Sequence, residues 1–196
     1  MKPSDKLRHG FERAVSSAEA MLGNQSGLEA FGSAVDAIIN AYRSGGRLYV
    51  VGNGGSAADA QHLAAELVCK LGRSRPSIAA EALTVDTSVL TAIGNDYGYD
   101  EVFARQIQGK ATPKDMMLAL TTSGQSRNVL RALEECRRLG VKTVVFAGRD
   151  GGPARDLADF CVIAPGETTS EIQQIHQVLY HTLCACVEEA ICPPGV

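Results

Sequence analysis

Five short runs of apolar residues stand out along the chain: Leu48–Gly52, Ala79–Val85, Met116–Thr121, Thr143–Ala147 and Phe160–Ala164. Most are apolar at consecutive rather than alternate positions, the pattern of strands covered on both faces. Between them apolar residues return every three or four positions, which predicts helices over 56–70, 87–108 in pieces, 126–139 and, closing the chain, 170–190. The first third has helical spacing too, over 5–22 and 28–44, where Phe31, Val35, Ile38, Ile39 and Tyr42 share a stripe that Gly45–Gly46 ends. Strand and helix alternating predicts a doubly wound α/β fold, a three-layer α/β/α sandwich around a five-stranded parallel sheet. We read residues 1–196 as one domain, with a helical segment at 1–46 and an α/β core at 47–192. The two N-terminal helices exceed what five strands need for cover and are expected to pack on another copy of the chain. The final stretch, Cys192–Val196 with Pro193–Pro194, is expected to fray.

Composition narrows the class. The 196 residues are 45% hydrophobic and 21% charged, which excludes a disordered or fibrous chain. A net charge of −3 leaves no basic footprint for nucleic acid or an anionic membrane, and residues 1–46 carry no basic recognition helix. The polar start, Met1–Gly10, lacks the apolar stretch of a signal peptide, and no run approaches membrane-span length, so the chain reads as cytoplasmic. In that compartment thiols stay reduced. The cysteines, Cys69, Cys136, Cys161, Cys184, Cys186 and Cys192, include no Cys-x-x-Cys pair and read as small apolar packing residues.

Ligands of such sheets bind beyond the carboxyl ends of the strands. The loop after the first strand is Gly52-Asn53-Gly54-Gly55-Ser56, in which glycines bring backbone close to a ligand and a helix start favours an anion. It also reads as a tight turn with Ser56 as helix cap. Gly52, Gly54 and Ala57 match a dinucleotide fingerprint, but the candidate acid, Asp86, lies too far along. Gly109-Lys110 is followed by Ala111, so no Walker sequence exists. The loop after the third strand is Thr121-Thr122-Ser123-Gly124-Gln125-Ser126, hydroxyl-rich and again before a helix. Neither loop contains Lys or Arg, though Arg127 adjoins the second; neutral donors suit the phosphate of a small substrate that must be released. Two such cradles on one sheet edge point to a sugar phosphate.

His62 and Glu66, four apart on the helix after the first cradle, share a face. On the last helix Gln173 and His181 fall on one side with Gln177 between them, opposite Ile172, Ile175 and Leu179; His176 is expected on the outer face or at an interface. A polar turn, Gly94-Asn95-Asp96-Tyr97-Gly98, is placed to reach sugar hydroxyls or to serve only as a loop.

Together, Gly52 through His62 with Glu66, Ala92-Ile93-Gly94-Asn95-Asp96, Thr121 through Ser126, and Glu171 through His176 with His181 resemble the SIS (sugar isomerase) domain of the phosphoheptose isomerases over nearly the whole chain. The resemblance implies conversion of sedoheptulose 7-phosphate to D-glycero-D-manno-heptose 7-phosphate through an enediol, the first step toward nucleotide-activated heptose for bacterial surface glycans. It implies a cytoplasmic homotetramer with shared active sites, and one zinc per subunit on His62, Glu66, Gln173 and His181. Substrate contacts carried over are Asn53, Gly54, Gly55, Ser56, Asn95, Asp96, Thr121, Thr122, Ser123, Ser126 and Gln173, with Glu66 as base and His181 as acid/base. Two positions depart: Thr121 stands where the family often has Ser, and Ser170 where relatives have Asp. The other reading on this fold is a non-catalytic module that binds the bacterial replication initiator; such proteins lack the counterpart of Glu66.

Overall fold

The computed structural model describes residues 1–193; the end of the fraying tail expected above, 194–196, lies outside the described residues. The chain runs α1 (Pro3–Leu22), α2 (Gln25–Arg43), β1 (Leu48–Gly52), α3 (Gly55–Val68), β2 (Ala80–Ala82), α4 (Thr87–Asp96), a 3-10 turn (Tyr99–Glu101), α5 (Ala104–Lys110), β3 (Met116–Thr121), α6 (Arg127–Leu139), β4 (Lys142–Gly148), α7 (Gly152–Leu157), β5 (Phe160–Ala164) and α8 (Thr169–Ile191). The five strands form one all-parallel sheet in the order β2-β1-β3-β4-β5. β1, β3 and β5 fall where the apolar runs predict them. β2 is shorter than predicted: only Ala80–Ala82 pair with Leu48–Val50 of β1. The six-residue α7 was not anticipated; its Gly151-Gly152-Pro153 entry reads as loop.

Strand residues alternate between two cores. Leu48, Val50, Leu118, Leu120, Val144 and Phe146 pack under α2, α3 and α8, while Tyr49, Val51, Met117, Ala119, Val145 and Ala147 pack under α5, α6 and α7. This is the three-layer sandwich.

The expectation for the N-terminal helices is half corrected. α2 is not spare: Ala34, Val35, Ile38 and Ile39 are buried in the sheet's own core, so it covers β-sheet. Only α1 lies outside that layer, resting on α8 and α2 and leaving Leu7, Phe11, Val15 and Leu22 exposed. Among the described residues no helix is long and apolar enough to cross a membrane.

The cysteine expectation also needs one correction. Cys136 and Cys184 are buried as packing residues, with burial pushing both thiols up to about 12, but Cys69 is exposed just past the end of α3. All six are free thiols.

Candidate active site

β1 has β2 on one side and β3 on the other, so the chain reverses its winding between β1 and β3. Ligands of open parallel sheets bind at such a crevice. Both cradles lie at it, one at the end of each strand.

In the first cradle Gly54 adopts φ +56°, a backbone that favours glycine, and is the N-cap of α3. At Gly55 a Cβ would meet the carboxamide end of the Gln173 side chain of α8, which would have to move aside. Ser56 is not the helix cap; α3 has no side-chain cap and Ser56 is buried inside its first turn. The Asn53 amide pairs reciprocally with Asn128 on α6, each donating to the other at 2.8 Å. This pair ties the two cradles together across the crevice. Tyr99 also donates to Asn53, at 3.4 Å, which brings the segment after α4 to the same place.

In the second cradle the Thr121 hydroxyl is buried and accepts from the Gly124 N–H at 3.1 Å, so it shapes the loop. Ser123 Oγ accepts from Gln125 N–H at 3.2 Å. Ser126 is the N-cap residue of α6, yet its hydroxyl makes no cap bond. Thr122, Ser123 and Ser126 are partly exposed. Asn95 and Asp96 are exposed at the end of α4, where Asn95 donates to Asp96 at 2.7 Å. Asp86, the residue weighed for a dinucleotide, caps α4 by accepting from Val89 N–H.

The titratable cluster comes from α3 and α8 of one chain. His62 Nε2 and Glu66 Oε1 are 2.9 Å apart, as their spacing on one helix face predicts. His181 stacks edge-on to His62 with ring centroids 5.0 Å apart. Ligand atoms of His62, Glu66 and His181 all lie within 4.8 Å of one another. Gln173 is two helical turns before His181 and reaches the start of α3.

Several members of the site were not singled out from sequence. Asp59 is buried one turn before His62 on α3; burial raises its carboxyl pKa against hydrogen bonds from Gln177 and Tyr180. Its spacing from His62 was a legible signal. Tyr180 is fully buried, with its hydroxyl 3.0 Å from His62 Nδ1 and 3.5 Å from Asp59 Oδ1. At the far end of α3, Arg75 donates to the carbonyls of Glu66 and Leu67 and to the Glu188 carboxylate of α8, each at 2.8 Å. The two side chains are 1% and 8% exposed. Burial pushes the Glu188 carboxyl upward, but Arg75 and the N–H groups of Arg73 and Leu71 outweigh it and hold it below the usual range. The guanidinium satisfies carbonyls that a helix C-terminus leaves open.

His176 is a correction. It is neither outer-face nor interfacial: it is completely buried against Phe146, with Nε2 3.4 Å from the Ala147 carbonyl and Nδ1 lacking a partner. It lies in the same buried stripe of α8 as Ile172, Ile175 and Leu179, and burial lowers its pKa to about 4, so it is neutral.

The fold and site have recognisable relatives. The SIS-domain family model matches residues 12–148. A phosphoheptose isomerase of Aneurinibacillus thermoaerophilus is 41% identical over 188 residues, 96% of this chain and 95% of its own. One from Bradyrhizobium sp. (strain BTAi1) is 51% identical over 79% of this chain and 78% of its own. The solved phosphoheptose isomerase of Neisseria gonorrhoeae superposes with a TM-score of 0.89 at 33% identity, covering 96% of this chain and all of that one. These relatives give no support to the replication-initiator reading. The chain belongs to the phosphoheptose isomerases of the SIS-domain family, and it is an isomerase.

Proposed function

We propose that the protein interconverts sedoheptulose 7-phosphate and D-glycero-D-manno-heptose 7-phosphate, and that the site above does the chemistry. The observation that carries the residue assignment is the convergence of His62, Glu66 and His181 beside two anion cradles. In this reading the second cradle holds the phosphate through Thr122, Ser123 and Ser126, with Thr121 bracing the loop from within. The first, through Asn53, Gly54, Gly55 and Ser56, faces the sugar together with Asn95, Asp96 and Gln173.

Isomerisation moves hydrogen between neighbouring carbons and between their oxygens. The Glu66 carboxylate takes a proton from C1 of the ketose, leaving a cis-enediol, exchanges it with solvent and delivers a proton to C2. His181 takes the proton of the C1 hydroxyl and delivers it to the oxygen on C2, so that C1 becomes the aldehyde carbon. The cradles hold phosphate and hydroxyls so that C1 and C2 stay beside Glu66.

Zinc fits the donors present. Two imidazoles and a carboxylate are ordinary zinc ligands, and their ligand atoms lie within the 4.8 Å already noted. Gln173, on the His181 side of α8, is the proposed fourth. When bound, zinc supplies a Lewis acid for the charge that develops on the substrate oxygens. Glu66 is then both ligand and base, roles that compete for one carboxylate.

We further propose a cytoplasmic homotetramer with shared active sites. The exposed stripe Leu7, Phe11, Val15 and Leu22 on α1, with Val178 on α8, supports burial against other copies. No nucleic-acid or membrane partner is part of the reading. Light scattering on the purified protein gives the copy number.

The test is proton NMR of sedoheptulose 7-phosphate with the protein in D₂O, with and without a chelator. Aldoheptose signals with deuterium at C2 are expected, lost on thorough metal removal and regained with zinc. Absence of both conversion and exchange with zinc present overturns the assignment. Full activity after metal removal overturns the Lewis-acid role alone.

A further inference from the structure

His62 is bonded at both ring nitrogens. Nε2 faces Glu66 Oε1 at 2.9 Å, and Nδ1 faces the Tyr180 hydroxyl at 3.0 Å. Nδ1 points into protein: Tyr180 is fully buried and Asp59, beyond it, nearly so. Tyr180 packs against both imidazoles, with ring centroids 5.5 Å from His62 and 4.6 Å from His181. Its hydroxyl therefore has two fixed neighbours, Nδ1 of His62 and Oδ1 of Asp59, the latter at 3.5 Å.

The three groups have a simple donor and acceptor count. A carboxylate only accepts; a tyrosine hydroxyl gives one proton and accepts on oxygen; a neutral imidazole gives at one nitrogen and accepts at the other. As described, Nε2 can donate to Glu66, and Tyr180 then donates to Nδ1. A cation held at Nε2 needs the lone pair there, so the ring proton must be on Nδ1. Tyr180 then accepts from Nδ1 and turns its own proton to Asp59. No proton is gained or lost: the one leaving Nε2 is matched by the one arriving at Nδ1. A metal-ligating imidazole generally depends on such an outer partner for tautomer and orientation.

We propose that Tyr180 and Asp59 are positioning residues for His62, a hydroxyl bridge that holds the ring and accepts its Nδ1 proton when Nε2 ligates a divalent cation. Neither touches substrate. The role rests on the proposal that the His62, Glu66 and His181 cluster takes zinc. Tyr180→Phe keeps the ring packing and removes only the hydroxyl. The Nδ1 proton then has no acceptor, and a buried polar group left unpaired disfavours the metal-bound tautomer.

The experiment measures zinc affinity of the metal-free full chain by competition with a chromophoric chelator, for wild type, Tyr180→Phe and Asp59→Asn. Thermal midpoints are recorded without metal. Tyr180→Phe is expected to bind zinc roughly 10- to 100-fold more weakly, the usual cost of losing an outer partner, with its metal-free midpoint kept. Asp59→Asn is expected to fall between it and wild type, and carries the test if Tyr180→Phe does not fold. Equal affinity within twofold for the folded variants and wild type overturns the positioning role alone. A wild-type chain that binds no zinc overturns the metal reading and this role with it.

Discussion

On the α3–α8 side of the site, polar side chains are held by other buried polar side chains. Tyr180, with Asp59 beyond its hydroxyl, bonds to one end of the His62 ring, and Arg75 with Glu188 clamps the helix end that carries Glu66. On the loop side backbone does most of the holding: a left-handed Gly54, a Thr121 hydroxyl that braces its own loop, and one amide pair, Asn53 with Asn128. The difference fits the roles proposed for each side. Proton transfer tolerates little misplacement, which suits groups fixed by networks. A phosphate is large, charged and must leave, which suits hydroxyls and amides on loops.

Four substitutions test that contrast. Glu66→Gln removes the proposed base while keeping shape; kcat is expected to fall by about 10³- to 10⁴-fold, a barrier increase of about 4 to 5.5 kcal/mol, with substrate affinity retained. Near-normal turnover would show that another group takes the proton. Glu188→Gln leaves the buried Arg75 guanidinium without its carboxylate and is expected to cost about 3 to 4 kcal/mol in urea unfolding at pH 7. An unchanged midpoint would make the clamp decorative.

His176 gives a pH signature. Its folded pKa is depressed to about 4 from an ordinary 6.5, so between those values the unfolded chain takes up a proton that the native chain refuses. Stability is therefore complete above about pH 6.5 and drains away as pH falls toward 4, by about 3 kcal/mol for this group. His176→Leu should flatten the pH dependence by that amount; parallel curves for the two proteins would place the titration elsewhere. The smallest effect belongs to the loop side. Ser126→Ala is expected to raise KM about tenfold, about 1.4 kcal/mol, by losing one hydrogen bond to a charged phosphate, with kcat unchanged. A fall in kcat instead would mean that the cradle also aims the reacting carbons.

Much of this was legible beforehand, for definite reasons. The buried strands announce themselves because sequence patterning and two-sided burial coincide. His62 and Glu66 meet because helical spacing dictates it. The failures are also physical. His176 stands in the apolar phase of α8 with Ile172, Ile175 and Leu179, and there its position, not its polar residue type, decides its burial. The apolar stripe of α2 looks the same whether it covers a sheet or a second subunit, so sequence alone does not separate the two. Tyr180 and Arg75 act through partners distant in sequence, and no local pattern encodes such a pairing. Asp59 differs: it sits one turn from His62 and could have been found.

Gly55 has a consequence for how this chain tolerates change. Its backbone is ordinary helix, so nothing local forbids a side chain there; the Gln173 carboxamide already fills the space. The two positions behave as lock and bolt, drawn from opposite parts of the chain. An alanine at 55 would evict the amide, while a short residue at 173 would free 55 to vary. Permissiveness at 55 is thus decided by the occupant of 173: a side chain at one and the amide at the other compete for the same space.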